Sequence, residues 1–223
     1  MHSSLPLNCF KGIKPGKEKI MKKFICIMPT SVLESHVYEA VGNEKIGYQN
    51  STSFPIIPLI KGYTESEEDL QVIPVLTASD STSLSNAVSL THELEAIDRD
   101  ALITSINADL SKSVDGSIEL LTKLIPLFED GDQVCVCLHF GTPAMQFAII
   151  SALQYAYRAL RNVSIECVCT QGENEGKHQN VDITALVQAG ELLQTLTERH
   201  HKDPAKILRM TLALGEEEDE GEE

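Results

Sequence analysis

The chain has no tryptophan, and only 6 Phe and 5 Tyr among 223 residues. Stacking platforms for the bases of a single strand are therefore scarce. It is also short of positive charge, with 18 Lys+Arg against 33 Asp+Glu and a formal net charge of −15. Duplex binding rests on Lys and Arg neutralising phosphates, so a body this acidic is a poor general nucleic-acid binder. Anionic membrane surfaces are disfavoured for the same reason. No apolar run approaches the length of a membrane-spanning helix, and no N-terminal stretch has the apolar core of a signal peptide. Neither nucleotide-binding glycine pattern, G-x-x-x-x-G-K-S/T or G-x-G-x-x-G, is present. There is also no nucleophile elbow to support a Ser-His-Asp triad.

What is present is 42% hydrophobic residues with 13 Gly and 9 Pro, the composition of a globular chain of one large domain. The charge is unevenly placed. Residues 1–23 carry six Lys and one Glu, a net of +5. Gly215 to Glu223 carry seven acids and no base, a net of −7, which leaves −13 for the remainder. Residues 1–20 show no periodicity, and the sequence restarts at Met21 with a strand-like run. This stretch is expected to be a disordered leader or to precede the true start. Residues 201–223 are expected to form an extension ending in a disordered acidic tail. The domain is expected to span 21–200.

Within it, strand-like and helix-like runs alternate. Phe24–Met28, Gln71–Leu76, Gln133–Leu138 and Val163–Cys169 read as strands. Pro74 argues for an exposed position of the second, and Pro58 makes Ile56–Ile60 an irregular or edge segment. Leu102–Asn107 reads as one short strand. Leu84–Ile97, Ser117–Phe128, Ala144–Leu160 and Val181–His200 have helical spacing, the third apolar on nearly every side and so expected to be buried. Strand, turn, helix and strand within residues 133–169 make a βαβ unit. The pattern predicts an α/β fold, Rossmann-like, with a mainly parallel sheet and helices on both faces in a single domain. Ligands of such sheets bind at the carboxyl ends of the strands.

The loops at those ends are rich in hydroxyls: Pro29-Thr30-Ser31, then Thr77-Ala78-Ser79-Asp80-Ser81-Thr82-Ser83, then His139-Phe140-Gly141-Thr142-Pro143. A Thr170-Gln171-Gly172 turn is expected after the next strand. Hydroxyls, backbone N–H groups and helix N-termini hold phosphate without basic side chains; taken singly, each loop is equally a set of helix caps. Cys135, Cys137, Cys167 and Cys169 lie in apolar strands and read as reduced core thiols rather than a zinc site. His200-His201 reads as a solvated pair. No metal and no cofactor is expected, and the location is expected to be cytoplasmic.

The chain resembles the CRISPR-associated Rossmann-fold (CARF) domains. The likeness rests on Phe24–Ser31, on Val75–Ser79 (VLTAS), on Gly131–Ala152 with its Gly/Thr loop and apolar helix, and on Val181-Asp182-Ile183-Thr184-Ala185-Leu186, similar to a D-x-T element opening a late helix. One branch of the family carries T-G-G-T-K after the key strand. Gly141, Thr142 and Met145 fit that pattern, while Phe140 stands for a glycine and Pro143 for the lysine. The resemblance implies a homodimer that binds a cyclic oligoadenylate, the second messenger of type III CRISPR antiviral defence, across its two-fold axis. Contacts are expected from Thr30, Ser31, Thr77, Ser79, Gly141, Thr142, Lys177 and His178, with Thr170–His178 as a lid. A metal-independent ring nuclease would use His139 and Thr142. A third reading is a regulatory partner, antitoxin-like or transcriptional, of a separate effector protein. No membrane and no polymeric nucleic acid is expected as a partner.

Overall fold

The structure, a computed structural model, describes residues 21–65, 68–109, 114–174 and 177–198. The expected leader, acidic extension and His200-His201 pair lie outside the described residues. The strands are β1 (Lys22–Ile27), β2 (His36–Val41), β3 (Tyr48–Thr52), β4 (Leu70–Thr77), β5 (Ala101–Ile103), β6 (Ile106–Ala108), β7 (Gln133–Cys137), β8 (Ser164–Asn174) and β9 (Lys177–Asp182). The helices are α1 (Ile56–Tyr63), α2 (Ser81–Ala96), α3 (Val114–Leu124), α4 (Pro143–Ala159) and α5 (Thr184–Glu198).

All nine strands join one sheet in the order β3-β2-β9-β8-β7-β1-β4-β5, with β6 also on β4. The run from β8 through β7 and β1 to β4 is parallel. β9 turns back antiparallel on β8, and β3 antiparallel on β2. Side chains alternate across a strand, so β1 feeds both faces. Phe24, Cys26 and Met28 pack with α1 and α2, while Ile25 and Ile27 pack with α3, α4 and Val187 of α5. The fold is thus α/β and Rossmann-like, with helices on both faces.

Several local expectations are corrected. Ile56–Ile60 is helical, because Pro58 falls in the first turn of α1, where backbone N–H groups have no intrahelical partner. β4 is interior and Pro74 is buried. Pro74 is tolerated because β5 pairs with Leu70–Val72 and β6 with Val75–Thr77, and it falls in the gap between them. The same gap divides Leu102–Asn107 into two strands. Val181 and Asp182 belong to β9, and the last helix starts at Thr184, whose N–H is received by the Asp182 carboxylate at 2.9 Å. Thr170-Gln171-Gly172 is not a turn but part of β8, in the β8–β9 hairpin. α4 is not buried all round: Phe147 is 71% exposed, and Tyr155 and Tyr157 are exposed with it.

Two buried polar groups tie the layers. Lys23, at the start of β1, sets its ammonium 2.5 Å from Asp132 Oδ2 and 2.5 Å from the Leu127 carbonyl oxygen. Asp132 also receives the Glu129 N–H at 2.7 Å. Asn180, fully buried on β9, donates to the carbonyls of Ile46 and Pro55 and accepts from the Thr170 hydroxyl at 2.7 Å. Near it, the chain at Lys45 passes so close to Gly62 that a Cβ there would lie 1.8 Å from the Lys45 carbonyl oxygen.

Removing one partner of a buried ion pair strands the other charge. Asp132→Asn is expected to lower unfolding free energy by about 3–5 kcal/mol, measured by urea denaturation. The double change Lys23→Met with Asp132→Leu is expected to recover most of that loss.

Candidate functional site

After β2 and β3 at the far edge, the chain enters β4 on one side of β1 and later returns to β7 on the other side. The crevice between the carboxyl ends of β1 and β7 is therefore the switch point at which such sheets bind ligands. Its walls are the loop after β1 and the loop after β7. Asn86 of α2 fixes the first by donating to the carbonyls of Pro29 and Ser31 at 2.9 and 3.0 Å. Gly141 fixes the second. Its φ is +84°, and a Cβ would come 2.8 Å from Ile27 Cδ1, so glycine alone lets this loop close on the end of β1.

Because β9 is antiparallel to β8 and parallel to β2, the starts of β2 and β9 lie at the same edge as the end of β7. This brings His36, His139 and His178 together. The rings of His36 and His178 are 4.1 Å apart, and those of His139 and His178 are 6.2 Å apart. Tyr38, buried, stands 5.8 Å from the His178 ring, and Phe140 packs edge-on against His139 at 4.2 Å. They line an open cleft of about 250 Å³ with Glu34 and Ser53.

Burial holds the His139 imidazole below its ordinary pKa. A hydrogen bond with the Thr170 backbone opposes this, and the nearby His178 and His36 add to it. Cys137, below the cleft, is no nucleophile: burial pushes its thiol up to about 12. The two Cys-x-Cys pairs cannot converge on one ion. Cys135 and Cys137 pack with the α1–α2 layer, whereas Cys167 packs with the α3–α5 layer. Among the described residues, no group of three or more His, Cys, Asp or Glu is placed to hold a metal ion.

The residues singled out in the sequence fall in different places. His139 and His178 meet in the cleft. Thr30 and Ser31 are exposed on the loop after β1. Gly141 and Thr142 are on the loop after β7, and the Thr142 hydroxyl caps α4 by accepting the Met145 N–H at 3.3 Å. Thr77, the last residue of β4, and Ser79, on the loop after it, lie one strand further. There the Thr77 N–H goes to the Ser83 hydroxyl and Ser79 adopts φ 66°. Lys177 is separated from His178 by the alternation of the strand and pairs instead with Glu39 at 2.5 Å. His36, Tyr38, Glu34 and Ser53 had no part in the sequence reading. The signal for two of them was the His-Val-Tyr alternation of β2, which places residues 36 and 38 on one face.

A second polar cluster lies at the opposite edge. Asn43 Nδ2 donates to the Tyr63 hydroxyl at 2.7 Å and to Asp182 at 3.3 Å. Burial, with Asp182 nearby, holds the Glu166 carboxyl above its ordinary value. No helix among the described residues is long and apolar enough to cross a membrane. Compared with known proteins, the chain matches no protein-family model and no curated sequence.

A histidine with a depressed folded-state pKa binds its proton more readily in the unfolded chain. Its contribution to stability is therefore full above about pH 6.5 and lost as pH falls through the folded-state value. Thermal melts from pH 7.5 to 5 are expected to show a smaller loss of stability for His139→Gln than for the unaltered protein.

Proposed function

We propose that the protein is a CARF-like sensor that binds a cyclic oligoadenylate at this crevice, as a homodimer, in type III CRISPR antiviral defence. The observation that carries the reading is that the loop after β1, at Val32–Glu34, and the loop after β7, at His139 and Phe140, line one cleft with His36 and His178, beside the switch point of a doubly wound sheet. The chemistry suits an anionic nucleotide on an acidic protein. Backbone N–H groups, Thr30, Ser31 and Thr142 offer hydrogen bonds without a Lys or Arg, as small enclosed phosphates permit and polymeric nucleic acid does not.

The size of the cleft supports a shared ligand. At about 250 Å³ it falls just below the roughly 300 Å³ at which pockets for drug-sized molecules begin, so one protomer holds part of a ring. Support for the two-fold comes from α3 and α4. Val114, Ile118 and Phe147 are exposed around an apolar groove of about 380 Å³. α4 contains no acidic residue in a chain of net charge −15. Such a face carries both a projecting Phe147 and a hollow, which is what an isologous contact requires.

A second reading, ring cleavage, is favoured by the state of His139. An unprotonated imidazole can take the proton of a ribose 2′-OH as that oxygen attacks the adjacent phosphorus. The bond to the 5′-oxygen breaks, that oxygen takes a proton, and a 2′,3′-cyclic phosphate remains. Thr142, on the loop after β7, is the hydroxyl that would steady the charge.

Titration calorimetry with cyclic tri-, tetra- and hexa-adenylate is expected to show micromolar or tighter binding of one ring per two chains, with a shallow salt dependence. Heat from none of the three contradicts the reading. Chromatography of the ring after long incubation separates sensor from nuclease, and His139→Gln is expected to abolish any cleavage.

A further inference from the structure

Among the described residues that line the cleft there is no Lys or Arg, and the carboxylate of Glu34 stands at its rim. An anion entering meets a negative group there and a body that is acidic as a whole. The groups able to supply positive charge inside are imidazoles. From these placements we infer that His36, His139 and His178 form a phosphate-recognition cluster that takes up a proton as the anion binds.

The inference rests on the reading above for the identity of the ligand, but the cluster itself rests on geometry. Three rings from three strands, β2, β7 and β9, meet at one edge. Protons on imidazoles this close repel, so each one bound raises the cost of the next. Burial holds the His139 pKa down in the free protein. A phosphate dianion or diester placed against the rings reverses that balance, since an opposite charge within a few ångströms favours the protonated form.

Among the described residues, the other titratable groups around the cluster are these. Tyr38 on β2 is buried and burial pushes its hydroxyl pKa up. Cys137 on β7 is a neutral thiol. Glu93 of α2 is engaged by the Thr52 hydroxyl and by the Ser53 N–H at 3.1 Å. Lys177 and Glu39 pair with each other. Among the described residues that line the cleft, Glu34 is the carboxylate. Being negative, it adds to the need for a proton when a second anion arrives.

The test uses the full chain with two kinds of probe, the cyclic tri-, tetra- and hexa-adenylates and inorganic pyrophosphate. Calorimetry is run near pH 7.2 in buffers of different ionisation enthalpy, then across pH 6 to 8. The expected result is uptake of about one proton per bound anion, with affinity rising up to about tenfold per unit fall in pH. Uptake is expected to shrink in His178→Gln and in His36→Gln. Ring binding without proton uptake overturns the inference and leaves the ring reading standing. Pyrophosphate binding with uptake, where no ring binds, supports the cluster and removes the ring reading. Binding of neither kind of probe overturns both.

Discussion

β1 is paired along both edges, with β4 on one side and β7 on the other, and its side chains are buried on both faces. A strand in that position has no solvent side. Its alternation therefore sorts the helices into two layers, Phe24, Cys26 and Met28 calling for one and Ile25 and Ile27 for the other. The same position makes its carboxyl end the place where the chain reverses its direction across the sheet. Layering and cleft are thus one consequence. Gly141 shows how tightly they are linked, since the loop that walls the cleft leans on Ile27, a core residue of β1.

The antiparallel return of β9 on β8 is the second determinant. Without it, β2 and β9 would present other ends to the cleft, and His36 and His178 would be remote from His139. Asn180 anchors that return. It is buried and satisfied by two backbone carbonyls and a threonine hydroxyl, a polar arrangement costly to break. The cleft is therefore built from neutral donors and titratable rings rather than fixed cations. On the proposed function, such a cleft suits a small anion while the acidic body disfavours a long one.

The central parallel strands were legible in the sequence because strands buried on both faces are continuous apolar runs, as in Phe24–Met28 and Gln133–Leu138. β2, β3 and β9 were not, since Tyr48–Thr52 and Lys177–Asp182 are mostly polar, His36–Val41 is mixed with Tyr38 alone buried, and all three lie in the far part of the sheet, where partial burial leaves a weak pattern. The two prolines misled for a common reason. Each lacks an N–H that its particular place does not need: the first turn of α1 for Pro58, the gap between two partner strands for Pro74. Of the candidate site, the loops after β1, β4 and β7 were visible as hydroxyl-rich punctuation. The imidazole cluster was not, because its members are brought together by strand order over more than a hundred residues of chain, which no local pattern encodes.

In the proposed function the carboxyl edge between β1 and β7 receives the nucleotide. Amide and imidazole chemical-shift mapping during titration with the cyclic tri-, tetra- and hexa-adenylates is the sharpest test. Shifts are expected to be confined to residues 29–36 and 139–142 and to His178, with the three imidazoles moving toward their protonated positions. Shifts centred instead on Asn43, Tyr63, Glu166 and Asp182 at the opposite edge, or no shifts at a saturating ring concentration, would contradict it.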